Sequence, residues 1–219
     1  MSTEEEQYER WLEHVTLEEA TLLREQATSI EELHDAFYRE LSFGTAGLRG
    51  IIGLGPNRMN AYTVAKATQG LADYLNAHYD SPSVAIARDS RNRGEEFVRA
   101  AAGVLAANGV VAHVYRAIQP TPVLSFTVRE LGCSAGINVT ASHNPAAYNG
   151  YKVYGDDGCQ IASQAAVEIQ EGIDGLDFFD DVKRMDFEEA LAAGLVQWVD
   201  DSVVDRFLDE VAVQSVKPE

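Results

Sequence analysis

Ser142, His143 and Asn144 stand together in the segment Thr140-Ala-Ser-His-Asn-Pro145. A hydroxyl beside an imidazole and an amide is compatible with three kinds of chemistry. One is nucleophilic attack of the hydrolase type. Against it, the flanks are Ala141 and His143 rather than the glycines of a Gly-x-Ser-x-Gly elbow, and neighbours along a chain rarely point the same way. A second reading is structural, a turn in which Ser142 and Asn144 bond the local backbone. The third is that Ser142 carries a phosphoryl group. Phosphoserine adds about −1.5 to −2 charges and three strong acceptor oxygens. It therefore needs cations, and the same stretch of sequence supplies Arg49, Arg88, Arg91, Arg93 and Lys152. Mg²⁺ favours phosphate oxygens and carboxylates, yet this stretch has no Asp-x-Asp-x-Asp cluster, and Asp156-Asp157 reads as a solvated pair in a turn.

The surrounding pattern says what must position these groups. Short apolar runs at 84–87, 110–115, 135–140 and 151–154 read as strands. Between them, 95–108 and 122–131 read as helices, the first closed by Gly109 and the second opened by Pro122. A further helix over 61–78 is capped by Asn60. Strands alternating with helices of this length imply crossover units and a largely parallel sheet. Such sheets place ligands at the carboxyl ends of their strands. Three loops then share one rim: Arg88-Asp-Ser-Arg-Asn-Arg93, Arg116-Ala-Ile-Gln-Pro-Thr-Pro122 and the Ser142 segment.

Outside this region the first 40 residues read as helices, with capping-box patterns at Thr16/Glu19 and Ser29/Glu32. Residues 41–60 hold five glycines and read as a loop with one short strand. Residues 164–171 and 203–213 read as helices, and 174–189 as a surface connection.

The chain of 219 residues has a formal net charge of −18, unevenly spread. Residues 1–40 sum to −9, 41–155 to +4 and 156–219 to −13. A basic island between acidic flanks suits a small anion, whereas the total should repel nucleic acid and anionic lipid. No apolar run approaches the ~18 residues of a membrane helix. The acidic start lacks the features of a leader. Cys133 and Cys159 have neither disulfide-framework nor zinc spacing. The expectation is a cytoplasmic protein without nucleic-acid or membrane partners.

Two motifs carry a resemblance. Phe43-Gly-Thr-Ala-Gly-Leu-Arg-Gly50 with Asn57-Arg-Met-Asn60 resembles the opening of the α-D-phosphohexomutase superfamily. Thr140-Ala-Ser-His-Asn-Pro145 with Tyr148-Asn-Gly-Tyr-Lys-Val-Tyr154 resembles its active-site serine loop. The wording is nearest the phosphoglucomutase/phosphomannomutase branch that includes phosphopentomutases, over roughly residues 38–215. The resemblance implies a three-layer α/β/α domain at 41–198 with a mostly parallel, mixed four-stranded sheet. A helical extension precedes it at 1–40, and 199–219 would begin a second domain.

The resemblance further implies interconversion of glucose 1-phosphate and glucose 6-phosphate through phosphoserine at Ser142 and a bisphosphorylated sugar. Mg²⁺ would bind Ser142 through its phosphate, with glucose 1,6-bisphosphate as activator and intermediate. Arg49 and Lys152 would lie beside the phosphoserine, Lys152 shuttling a proton or offsetting charge. His143 would help position the phosphoserine or a sugar hydroxyl, and Thr140 and Asn144 would shape the substrate loop. Arg88, Asp89, Arg91 and Arg93 read as structural pairs near the rim, and Tyr148, Tyr151 and Tyr154 as packing. Gly47 and Gly50 would permit unusual backbone angles. Full-length members place their metal, sugar and distal phosphate loops in three further domains, so this piece alone should be inactive. A phosphopentomutase and a non-catalytic phosphosugar-binding module are the alternatives.

Overall fold

The computed structural model describes residues 3–44 and 47–216. Thr45 and Ala46, inside the first motif, and Lys217 to Glu219 lie outside the described residues. The apolar run of β2 (Ser83–Arg88) shows how the layers form. Val84 and Ile86 enter one core, while Ala85 and Ala87 enter another. A strand buried on both faces needs helices on both, and its sequence loses the alternation of a half-exposed strand. β2 pairs in parallel with β3 (Val111–Val114) and with β4 (Ala135–Val139). β4 pairs antiparallel with β5 (Tyr148–Gly155), and β5 with β1 (Gly47–Ile51). β6 (Val196–Trp198) joins β3 in parallel, giving the order β1-β5-β4-β2-β3-β6.

The mixed α/β sheet is as expected, but it has six strands rather than four. β1 is the one short strand expected within 41–60, where the glycines blur its bounds. β6 is only three residues long, too short to display a period. The 174–189 segment is also more than a surface connection. Phe178 and Val182 are buried, and α8 (Phe187–Ala192) begins within it, capped by Asp186 and burying Phe187 and Ala190.

On one face lie α4 (Ala61–His78), α5 (Gly94–Ala107), α7 (Ser163–Asp174) and α8, sharing a core with Ile86, Ile137, Tyr151 and Val153. On the other lie α6 (Thr121–Glu130) and α9 (Ser202–Val213), joined by the Phe126–Phe207 ring contact and the Arg206–Glu130 ion pair. Tyr151 is fully buried, accepts a hydrogen bond from Thr68 Oγ1 at 3.1 Å, and has its phenol pushed up by burial. No described helix is long and apolar enough to cross a membrane.

α1 (Thr3–His14), α2 (Leu17–Gln26) and α3 (Ile30–Phe37) pack through Trp11, Leu23 and Phe37 onto Leu54 and Phe178. The Thr16 capping box forms in full, whereas Ser29 caps α3 through Glu32 N alone, its Glu32 carboxylate turning to the Thr28 and Ser29 hydroxyls. These helices hold the loop after β1. Gln26 exchanges two hydrogen bonds with the Leu54 backbone, at 2.9 and 3.0 Å. Asn60 secures the loop from the other end. Its carbonyl caps α4 at Tyr62 N and Thr63 N, while its amide donates to Gly53 O and Gly55 O.

Asn60→Ala should therefore cost more than an ordinary cap, about 2–4 kcal/mol, because buried loop carbonyls lose their donor as well; urea unfolding measures it. Gly47, at φ +137°, has no room for a Cβ, which would sit 1.8 Å from Tyr151 O. Gly47→Ala should destabilise by at least ~1–3 kcal/mol through a forced main-chain shift. Gly109→Ala, at φ +75° in open space, should lose only about 1 kcal/mol in the same assay.

Candidate active site

The three expected rim loops do converge. Asp89 N donates to Val139 O at 3.3 Å and Gln119 N to Arg88 O at 2.9 Å, while Asn149 Nδ2 donates to Asn92 O at 3.0 Å. At this edge the chain leaves β4 through buried Thr140 and Ala141 and surfaces at Ser142. Ser142 is exposed and adopts φ +55°. A non-glycine residue in the left-handed region is uncommon and costs ~1–2 kcal/mol. Sequence alone carried no sign of it.

Several contacts fix this turn. Ser142 N donates to Thr140 Oγ1 at 3.0 Å, and that hydroxyl donates to Asp89 Oδ2 at 2.6 Å. Arg91 Nη2 donates to Ser142 O at 2.8 Å and Asn144 O at 2.6 Å. Its Nη1 donates to Pro145 O at 2.9 Å and Tyr148 O at 2.8 Å. His143 Nδ1 lies 3.5 Å from Ser142 Oγ, at the outer limit of a hydrogen bond. Asp89, Ser90, Arg91, Asn92, Ser142, Asn144 and Ala146 line a cleft of about 340 Å³.

A second cleft, of about 270 Å³, includes Arg49, Thr140 and Lys152 in its lining. The sheet register explains why. Arg49 pairs with Gly150, and Thr140 N donates to Gly150 O at 3.0 Å, so the three positions form one row across β1, β5 and the end of β4. Lys152 is two residues along β5, on the same face by strand alternation. Their neighbours Leu48, Tyr151 and Val139 point the other way into the core. A Cβ at Gly150 would lie 2.6 Å from Thr140 O, so only glycine lets the row close up. Arg49 Nη1 reaches Asn144 Oδ1 at 3.2 Å and ties the second cleft to the serine loop.

The five cations singled out in the sequence separate into two groups. Arg88 pairs with Glu95, Arg91 with Asp89 and Arg93 with Glu96. Among the described residues, Arg49 and Lys152 make no ion pair. Sequence reasoning did not connect Asp89 with Thr140 or give Arg91 its grip on the serine loop. The available signal was their place at the carboxyl end of the strand beside β4. Of the tyrosines, Tyr151 and Tyr154 are buried and Tyr148 is half-buried. No group of three or more His, Cys, Asp or Glu able to hold a metal occurs among the described residues.

Residues 40–180 match the family described as phosphoglucomutase/phosphomannomutase, alpha/beta/alpha domain I. The chain is 39% identical over 201 residues to a phosphoglucomutase of Staphylococcus saprophyticus, covering 92% of this chain and 36% of that relative. It is 44% identical over 158 residues to a phosphoglucomutase of Staphylococcus aureus, covering 72% of this chain and 28% of the relative. The chain thus spans about a third of the length of the curated relatives it matches. A Thermus thermophilus protein provisionally assigned as a phosphomannomutase superposes with a TM-score of 0.61 at 28% identity, over 74% of this chain and 34% of that one. A phosphoglucomutase/phosphomannomutase family protein of Burkholderia thailandensis gives 0.57 at 24% identity, over 78% and 35%, which shows the shared fold. The match to domain I over more than half of the sequence makes this chain a member of the phosphoglucomutase/phosphomannomutase family.

Proposed function

We propose that this chain is the serine-bearing domain of a hexose-phosphate mutase, one that interconverts glucose 1-phosphate and glucose 6-phosphate by way of phosphoserine at Ser142. One observation carries the reading. Of the five cations that the sequence offered to a phosphate, the two without a carboxylate partner among the described residues, Arg49 and Lys152, line the cleft beside an exposed serine on a strained turn. Phosphoryl transfer depends on in-line placement and on compensating spread negative charge, with little covalent help from the protein. Arg49 would hold phosphate oxygens with its planar fork, and Asn144 would aim it.

In the forward half-reaction a sugar hydroxyl oxygen bonds to the phosphorus of phosphoserine, and the bond from phosphorus to Ser142 Oγ breaks. The hydroxyl proton goes to Ser142 Oγ by way of Lys152, which gives one proton and takes another. The bisphosphorylated sugar then turns over and returns its other phosphoryl group by the same step in reverse. His143, in reach of Ser142 Oγ, would orient the serine oxygen or the incoming hydroxyl. Thr140 shapes the loop from below.

Glucose 1,6-bisphosphate fits this scheme as activator and intermediate. Mg²⁺ would supply charge neutralisation on the transferring phosphoryl group. The described residues do not by themselves fit that ion. Asp89, the carboxylate in the Ser142 cleft, is already engaged by Thr140 and Arg91. The phosphate on Ser142 would offer one ligand oxygen, the other ligands would come from further domains of the same full-length chain, and no step here runs through the ion. A cytoplasmic setting suits sugar phosphates as substrates.

The test uses the longest natural chain that carries this sequence. Intact mass after incubation with glucose 1,6-bisphosphate should show one added phosphoryl group, absent in Ser142→Ala. Equal labelling of the two would end the mutase reading. Arg49→Met and Lys152→Met should each weaken bisphosphate binding about 10- to 100-fold by calorimetry, the loss expected for one charge-assisted contact.

A further inference from the structure

Both backbone polar groups of Ser142 are held, directly or through one hydroxyl, by the loop after β2. The N–H is held by Thr140 Oγ1, which is itself fixed by Asp89 Oδ2. The C=O is held by Arg91 Nη2. Asp89 Oδ1 also accepts from Arg91 N at 3.0 Å, and Asp89 Oδ2 faces Arg91 Nε at 3.5 Å. A guanidinium has five N–H donors. Four of Arg91's go to the carbonyls of Ser142, Asn144, Pro145 and Tyr148, and the fifth faces Asp89. Its side chain is only 12% exposed. Arg91 lines the Ser142 cleft yet has no donor left for a phosphate.

A serine at φ +55° persists only where its surroundings over-determine it. We infer that Asp89 and Arg91 are positioning residues: they lock Ser142 in the left-handed conformation and so set the direction in which its oxygen meets phosphorus. This rests on the mutase reading of Ser142. Lysine cannot replace Arg91, because an ammonium has three donors and no planar fork. Thr140 offers a cleaner separation of roles. Serine keeps the hydroxyl that links Asp89 to Ser142 N, whereas valine keeps the shape and removes the link.

The experiment compares Arg91→Lys, Thr140→Val and Thr140→Ser in the longest natural chain carrying this sequence. Three quantities are read: the rate of Ser142 phosphorylation by glucose 1,6-bisphosphate, the affinity for that bisphosphate, and the ¹³C shifts of Ser142. Arg91→Lys and Thr140→Val should label on the order of 100-fold more slowly, as a displacement of about 1 Å would dictate. Affinity should stay near wild type, since Arg49 and Lys152 are intact. Ser142 shifts should move from left-handed to ordinary values in both variants, and Thr140→Ser should keep wild-type rate and shifts. Wild-type labelling rates in a folded Arg91→Lys or Thr140→Val, or left-handed shifts retained in both, overturn the inference. Should Arg91→Lys fail to fold, the Thr140 pair decides alone. If the wild-type chain takes no label at all, the mutase reading fails, and the positioning claim then stands or falls on the shifts.

Discussion

Asp89 and Thr140 are 51 residues apart, yet a 2.6 Å hydrogen bond joins them. That bond exists because β2 and β4 are parallel neighbours that end at the same edge, with Arg88 opposite Val139. Everything proposed for Ser142 depends on this arrival. A left-handed serine is strained in isolation. It is tolerated where two loops meet and each satisfies the other's backbone. The Ser142 turn presents carbonyls at 142, 144, 145 and 148, and one guanidinium from the neighbouring loop donates to all four. Removing that donor would leave polar groups unpaired at a partly covered site, which is costlier than losing the attraction alone.

The open side of the site has a separate origin. α4, α5, α7 and α8 cover one face of the sheet, and the buried residues of β1, β5 and β4 point into that core. On the opposite face, α6 packs over β2 and β4. The β5–β1 edge on that face keeps an exposed Arg49 and a half-buried Lys152. Strand alternation thus sends large apolar side chains one way and the two unpaired cations the other. The glycines at 47 and 150 let β1, β5 and the end of β4 approach closely enough to make this row.

Much of this was legible in the sequence, and the illegible part has physical causes. Apolar runs and caps exposed β2 to β5 and the long helices, because burial on both faces of a sheet and a helix's unpaired N–H groups leave local signatures. Strand-end loops gave the rim, by a rule about parallel sheets. β6 and α8 were obscured because three or six residues cannot display a period, while the glycines of β1 left a short strand without bounds inside 41–60. Charge pairing was legible in part: Arg88, Asp89, Arg91 and Arg93 read as structural pairs near the rim, and ion pairs hold them there. Arg93–Glu96 and Arg88–Glu95 are near in sequence and open to guessing, but Arg91's partners span the gap from 89 to 148 and appear only once the chain has folded. The left-handed Ser142 is invisible for the same reason, since its cause is tertiary.

The acidic flanks bear on the same question. A chain of net charge −18 ought to repel a sugar phosphate. Ion pairing within the fold leaves that total unchanged but decides which cations are already engaged. Asp35 and Glu40, from the first flank, take Arg58 and Lys66, while Glu188, from the second, takes Arg99. Each of these pairs removes a basic-island cation that lies away from the Ser142 turn. None of the flank carboxylates pairs with Arg49 or Lys152 among the described residues. At physiological ionic strength the remaining surface charge is screened beyond ~8 Å. An anion approaching the rim would then respond mainly to the charges near it, the unpaired Arg49 and Lys152 among them, rather than to the total. The flanks therefore engage Arg58, Lys66 and Arg99 and leave Arg49 and Lys152, beside the emerging serine, without a carboxylate partner.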